Sequence, residues 1–180
     1  VFLFIGYPIF VAVTTKQNPV KFAKKIFRVA VFGFSTSSSA AALPLNVKTT
    51  TEELGVDEKI ASFVLPLGAT INMDGTAIYQ GVCAIFIASC YGIQLTLPQM
   101  LTIILTATLA SIGTAGVPGA GMVMLAMVLT SVGLPVDGIA LVAGVDRIFD
   151  MGRTVVNITG DASCCVVVHN LEKKKEMKKN

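Results

Sequence analysis

Asp146, Asp150, Arg153, Asn157 and Asp161 follow one another at spacings of 4, 3, 4 and 4 residues. At about 100° per residue, a helix gathers these five side chains into a sector of roughly 80°. Thr154 stands at its edge. Arg153 carries a planar fork that grips a carboxylate through two hydrogen bonds. Asp150, one turn away, can hold an ammonium, so the pair suits a zwitterion bearing a second carboxylate. A second cluster lies in Thr70-Ile71-Asn72-Met73-Asp74-Gly75-Thr76, inside an apolar stretch long enough to cross a bilayer. An Asp at that depth must be hydrated, paired or bound to a cation. Gly75 is the residue there that most readily lets a helix stop or unwind. A broken helix with oxygen-bearing side chains is how many membrane carriers hold an alkali cation. Asn157 and Asp161 repeat the Asn and Asp types of that cluster. The bland alternatives are an internal ion-pair network around Arg153 for the first set and a turn in a soluble helix for the second.

These residues must be positioned inside a membrane. Of 180 residues, 53% are hydrophobic and 14% charged, and the mean hydropathy is +0.74; soluble domains carry about 25% charged residues. Cys83, Cys90, Cys164 and Cys165 form no C-x-x-C pair and read as small apolar residues. The net charge is only +3, but the basic residues fall in blocks. Lys16, Lys21, Lys24, Lys25 and Arg28 lie together, Lys48 and Lys59 flank a second segment, and Lys173, Lys174, Lys175, Lys178 and Lys179 fill the tail. By the positive-inside rule, 14–28, 48–59 and 170–180 are cytoplasmic, whereas 90–98 and 133–138 are external. The basic tail reads as a solvated cytoplasmic anchor, not a nucleic-acid contact.

The expected layout is all-α and multi-pass in the cell (plasma or inner) membrane, with the carboxyl terminus cytoplasmic. Residues 1–13 are apolar and begin without Met, so they read as the end of a spanning helix and the chain as a carboxyl-terminal piece; 14–28 form a basic amphipathic approach with Pro19 near a helix start. The stretch 29–47 is apolar, is interrupted by serines and has cytoplasmic charge on both sides. Each half is too short to span about 30 Å of hydrocarbon, so it predicts a re-entrant hairpin whose serine-rich tip caps a returning helix from Ala40. A broken spanning helix is expected over 60–90. A second hairpin is expected over 99–132, where four glycines and Pro118 fall within 111–121; Pro118 suits the first turn of its second half. The Lys of a phosphate-binding G-x-x-x-x-G-K-[ST] loop is missing there. A last spanning helix covers 139–169, with Arg147 just off its polar face and His169 at its cytoplasmic end; 170–180 is a cytoplasmic tail. Hairpin then span, twice and in opposite orientation, is an inverted repeat with both tips meeting near the midplane.

Ser37-Ser38-Ser39 before an Ala-rich helix, Asn72-Met73-Asp74-Gly75-Thr76, the Gly-rich second tip, and Asp150-Met151-Gly152-Arg153-Thr154 followed by Asn157 and Asp161 closely resemble the glutamate transporter family. This is the dicarboxylate/amino acid:cation symporter family, here in a prokaryote-like form. The resemblance runs from about Val1 to His169. It implies the transport domain of a homotrimeric elevator carrier, whose scaffold helices precede this segment. It implies Arg153 for the substrate side-chain carboxylate and Asp150 for its amino group, with Thr76, Thr154, Asn157, Ser38, Ser39 and backbone at Val117 and Gly121 completing the pocket. One sodium is implied on Asp161, Asn157 and backbone at Gly68 and Asn72. A second is implied between Thr70 and backbone at Ser111, Ile112 and Thr114. A third is implied on Asp74 and Asn72, with further ligands from an earlier helix. Ser37 stands where some archaeal members carry an arginine.

The expected function is therefore symport of glutamate or aspartate with co-transported sodium, without bond chemistry and without an organic cofactor. The partners are the acidic amino acid, lipid and two further copies of the protein; nucleic acid is not among them. A C4-dicarboxylate substrate would leave Asp150 without an ammonium and would be repelled by it. Proton coupling is open because a buried carboxylate can titrate. A rival of another class is an intramembrane aspartyl protease using Asp74 and Asp161, although residues 158–161 read Ile-Thr-Gly-Asp, not that group's Gly-x-Gly-Asp. A non-transporting truncated product is the remaining alternative.

Overall fold

In the computed structural model, which describes residues 2–15 and 17–179, every regular element among those residues is helical. A π-helical turn, Phe2–Gly6, runs into α1 (Tyr7–Thr15). The second helix, α2 (Pro19–Thr36), begins on Pro19, with Asn18 accepting from the amides of Val20 and Lys21. The basic approach and the first arm of the expected hairpin are thus one helix, which runs through Gly33 and ends where Ser37 turns the chain with φ 51°. α3 (Ser39–Glu52) packs back on α2. Ser38 caps it by accepting from Ala41 N–H at 3.1 Å, so the serine-rich turn caps the returning helix one residue before the expected start.

The apolar stretch expected to break does so. It forms α4 (Glu58–Ile71) and α5 (Asp74–Cys90). Together, Glu58–Cys90 is the one helical stretch among the described residues long and apolar enough to cross a membrane. The break falls on Asn72 (φ −95°, ψ 81°) and Met73 (φ −111°, ψ 49°), not on Gly75. Gly75 lies inside the first turn of α5, against the backbone of the last helix. A Cβ there would meet the Arg153 carbonyl oxygen and sit 2.8 Å from its Cα. Close approach, not unwinding, is what demands glycine at this position.

α6 (Leu97–Ile112) opens on a capping box formed by Thr96 and Gln99, and α7 (Ala120–Ser131) packs against it. Pro118 stays in the loop between them. Gly119, at φ 80°, precedes α7 instead, because a left-handed residue at that corner favours glycine over proline. After a short 3₁₀ turn (Val136–Gly138), the expected last span is itself divided into α8 (Ile139–Ala143) and α9 (Asp146–Lys179). α9 continues through the lysine-rich tail, where the charges of 172–178 are exposed and need no unwinding to reach water.

Two apolar cores flank α9. One joins α5, α6 and α7 through Ile87, Ile103, Leu125 and Leu129. The other joins α1 to α4 with α9 through Val11, Phe22, Leu65 and Ile158. Large apolar side chains also face outward, among them Phe63, Leu101, Ile104, Leu105 and Val123. A surface of that kind suits lipid or neighbouring protein rather than water.

Candidate functional site

The polar face of α9 turns inward. Asp146, Asp150, Arg153, Thr154, Asn157 and Asp161 are all buried, with 2–6% of their surface exposed. Arg153 lies at the centre. Its Nε donates to Asp150 Oδ1 at 2.9 Å and its Nη2 is 2.8 Å from the same oxygen. Its Nη1 is 3.6 Å from Asp146 Oδ1, and the guanidinium stacks over the Tyr79 ring at 4.5 Å. The ion-pair network weighed from the spacing is therefore present, and Asp146 and Tyr79 belong to it. A Cβ at Gly121 would sit 2.5 Å from Arg153 Nη1, so a larger residue there would push the fork aside.

Two loops close over this face. Ser38 Oγ donates to the Gly116 carbonyl at 2.7 Å, and Ala40 N–H donates to the same oxygen at 3.2 Å. The serine-rich and glycine-rich turns therefore touch directly. Gly119 N–H donates to Asp150 Oδ2 at 2.8 Å, which ties the second loop to α9. Between them lies a cavity of about 10 Å3, room for about one water. Of the residues expected to bind substrate, Ser39, Thr76, Val117, Gly121, Asp150, Arg153, Thr154 and Asn157 line it; Thr114 and Ser37 do so too. Ser38 instead bonds across to the facing loop.

The cation residues gather next to this cavity, around the helix break. Asn72 Nδ2 donates to Asp161 Oδ1 at 2.8 Å. A Cβ at Gly68 would lie 2.5 Å from that oxygen. Asp74 Oδ2 accepts from Tyr7 Oη at 2.8 Å. Gly68, Asn72, Asp74 and Asp161 share the wall of a largely apolar cleft of about 540 Å3. Asn157 bridges the two regions. Its Oδ1 accepts from Gly75 N–H at 2.8 Å, and its Nδ2 faces Met73 Sδ at 3.1 Å and Thr76 Oγ1 at 3.4 Å. Among the described residues no three His, Cys, Asp or Glu side chains form a metal-binding group. A cation held here would rest on amide, hydroxyl and backbone oxygens beside one or two carboxylates.

The second cation was expected on Thr70 and on backbone at Ser111, Ile112 and Thr114. Thr70 is exposed and its hydroxyl bonds to the Leu67 carbonyl at 2.7 Å. Ser111 and Thr114 are buried, but their hydroxyls donate to Thr108 and Ala110 carbonyls, and Ile112 is exposed. Arg147 is exposed, off the polar face as its register requires. His169 Nδ1 accepts from Asp57 N–H at 3.3 Å. Sequence reasoning passed over Tyr7, Met73 and Tyr79. Tyr79 was within reach, since it follows Thr76 by three positions on the buried side of α5; Tyr7 joins only through tertiary contact.

Buried charge on one inward helix face beside a helix break is an arrangement that many membrane carriers use to hold ions. The chain belongs to the sodium:dicarboxylate symporter family, whose profile matches residues 1–171. It is 48% identical over 169 residues to an excitatory amino acid transporter of Caenorhabditis elegans, covering 94% of this chain and 34% of that protein. It is 46% identical over 169 residues to human excitatory amino acid transporter 2, covering 94% of this chain and 29% of that one. Human excitatory amino acid transporter 5 is 48% identical over 160 residues, covering 89% and 29%. The chain thus spans about a third of the length of these relatives. They are transporters, not enzymes, which removes the protease reading.

Proposed function

We propose that this chain forms the substrate- and cation-binding part of a secondary symporter that moves an acidic amino acid with sodium. The observation that carries the reading is the convergence of both loops on Asp150 and Arg153, one turn from the Asn157 bridge to Asp161. An acidic amino acid matches this pair in charge: its side-chain carboxylate takes the Arg153 fork and its ammonium takes Asp150. The internal pair is then exchanged for two external ones, and no buried charge is left uncompensated.

Entry requires the 113–119 loop to move, since about 10 Å3 holds no amino acid. That movement releases Gly119 N–H from Asp150, so occupancy and loop position are coupled. Sodium held at Asp161 and Asn72 acts on the same site through Asn157, whose side chain bonds the first turn of α5. Differential cation affinity for the two loop positions is what would couple the solutes. Two re-entrant hairpins in an inverted repeat, elevator movement within a homotrimer and a cytoplasmic carboxyl terminus complete the proposal; the α2/α3 and α6/α7 pairs and the basic blocks support it.

The experiment is competition binding of aspartate, glutamate, serine, alanine and succinate in sodium or choline chloride at fixed ionic strength. Aspartate or glutamate should bind in sodium alone and outcompete the neutral amino acids. Equal binding in choline refutes sodium coupling, with recovery at low pH pointing to protons. Succinate matching aspartate makes the substrate a dicarboxylate.

A further inference from the structure

Tyr7 stands on α1, far in sequence from every residue of the site, yet its hydroxyl donates to Asp74 Oδ2 at 2.8 Å. The ring is 7% exposed, so the group is held in place. Its seat is made by Gly160: a Cβ there would lie 2.6 Å from Tyr7 Oη, 3.0 Å from its Cζ and 2.7 Å from Asn72 Nδ2. Glycine at 160 thus lets the phenol and the Asn72 amide approach α9 side by side. Each then serves a different carboxylate, Tyr7 that of Asp74 and Asn72 that of Asp161. Both carboxylates open on the same apolar cleft, walled by Phe10, Leu67 and Ile71. In such surroundings a carboxylate is fixed only by the few donors it has.

The geometry points to Tyr7 as a positioning residue for cation binding: its hydroxyl fixes Asp74 through Oδ2 and leaves Oδ1 as the oxygen offered to the cation. Without the hydroxyl, the carboxylate is free to rotate about its last bond, and a cation must order it on arrival. Pre-ordering of this kind raises affinity by removing that cost from the binding step. The inference rests on the proposed sodium coupling, and it adds α1 to the elements that set cation affinity.

Tyr7→Phe deletes one oxygen and keeps the ring volume. The test uses the full 180-residue chain in detergent micelles, titrated with sodium chloride against choline chloride, with the melting temperature as readout. In the variant, the sodium concentration for half-maximal stabilisation should rise about tenfold, the size expected of a lost hydrogen bond to a charged group. Aspartate affinity at saturating sodium should stay within about twofold, because Tyr7 acts through Asp74 and not on the Arg153 cavity. A lower melting temperature with an unchanged sodium midpoint makes Tyr7 merely structural and overturns the inference. So does failure of the variant to fold, or an equal loss in both affinities. If the wild-type chain shows no sodium response, the symport reading falls first and this inference with it; a normal wild-type response with an identical variant response defeats the inference alone.

Discussion

Removing Arg153 perturbs the most heavily charged buried point of the molecule. Its side chain and those of Asp150 and Asp146 are 5%, 5% and 8% exposed. With an effective dielectric constant of about 20, the 2.8 Å contact is worth about 6 kcal/mol and the 3.6 Å contact about 5 kcal/mol. Taking three charges out of water costs several kcal/mol each, so the intact network comes out near balance. Arg153→Met upsets that balance by leaving two carboxylates without their cation, a change that costs about 3–5 kcal/mol. Asp150 keeps the Gly119 N–H, which places the loss near the lower end, about 3 kcal/mol. For a chain of this size, that is a fall of about 6–12 °C in melting temperature. The assay is thermal unfolding in detergent micelles, with and without aspartate in saturating sodium. Adding Asp146→Asn and Asp150→Asn to Arg153→Met should restore stability to within about 1 kcal/mol, while aspartate should no longer stabilise either variant. A single-variant shift below about 1 kcal/mol, or a triple variant no better than the single one, refutes the reasoning. Retained aspartate stabilisation in Arg153→Met removes Arg153 from the substrate.

Asp161→Asn should shift the sodium dependence of aspartate binding to higher concentration while leaving the fold intact, because the amide can still partner Asn72; an unchanged sodium titration refutes it. Gly75→Ala should cost about 1–3 kcal/mol by forcing α5 away from the α9 backbone, and a melting temperature equal to wild type counts against that contact. Gln80 is fully buried with neither amide atom hydrogen-bonded, so Gln80→Met should raise stability by about 1–3 kcal/mol, the penalty of an unsatisfied polar group; a loss on thermal unfolding contradicts this.

The periodicity of the last helix was enough to place Asp146, Asp150, Arg153, Asn157 and Asp161 on one inward face, because a register of 3.6 residues per turn is a local property. The break in the 60–90 stretch and the capping of α3 by its serine turn were legible for the same reason: both depend on neighbours in the chain. The exact seat of the break was not. It fell on Asn72 and Met73, while Gly75 sits inside α5 against the α9 backbone, a contact made with a helix more than 70 positions away. Composition likewise announced a membrane chain but not that α2 would absorb the basic segment, or that α9 would continue through the tail. What only the tertiary structure decided is which groups satisfy which charges. Arg153 pairs with Asp150 and Asp146 over Tyr79, Gly119 holds Asp150, the serine turn grips Gly116, and Tyr7 reaches Asp74. Partners of that kind are set by distance in space, and a pattern read along one chain carries no information about distances between its separate helices.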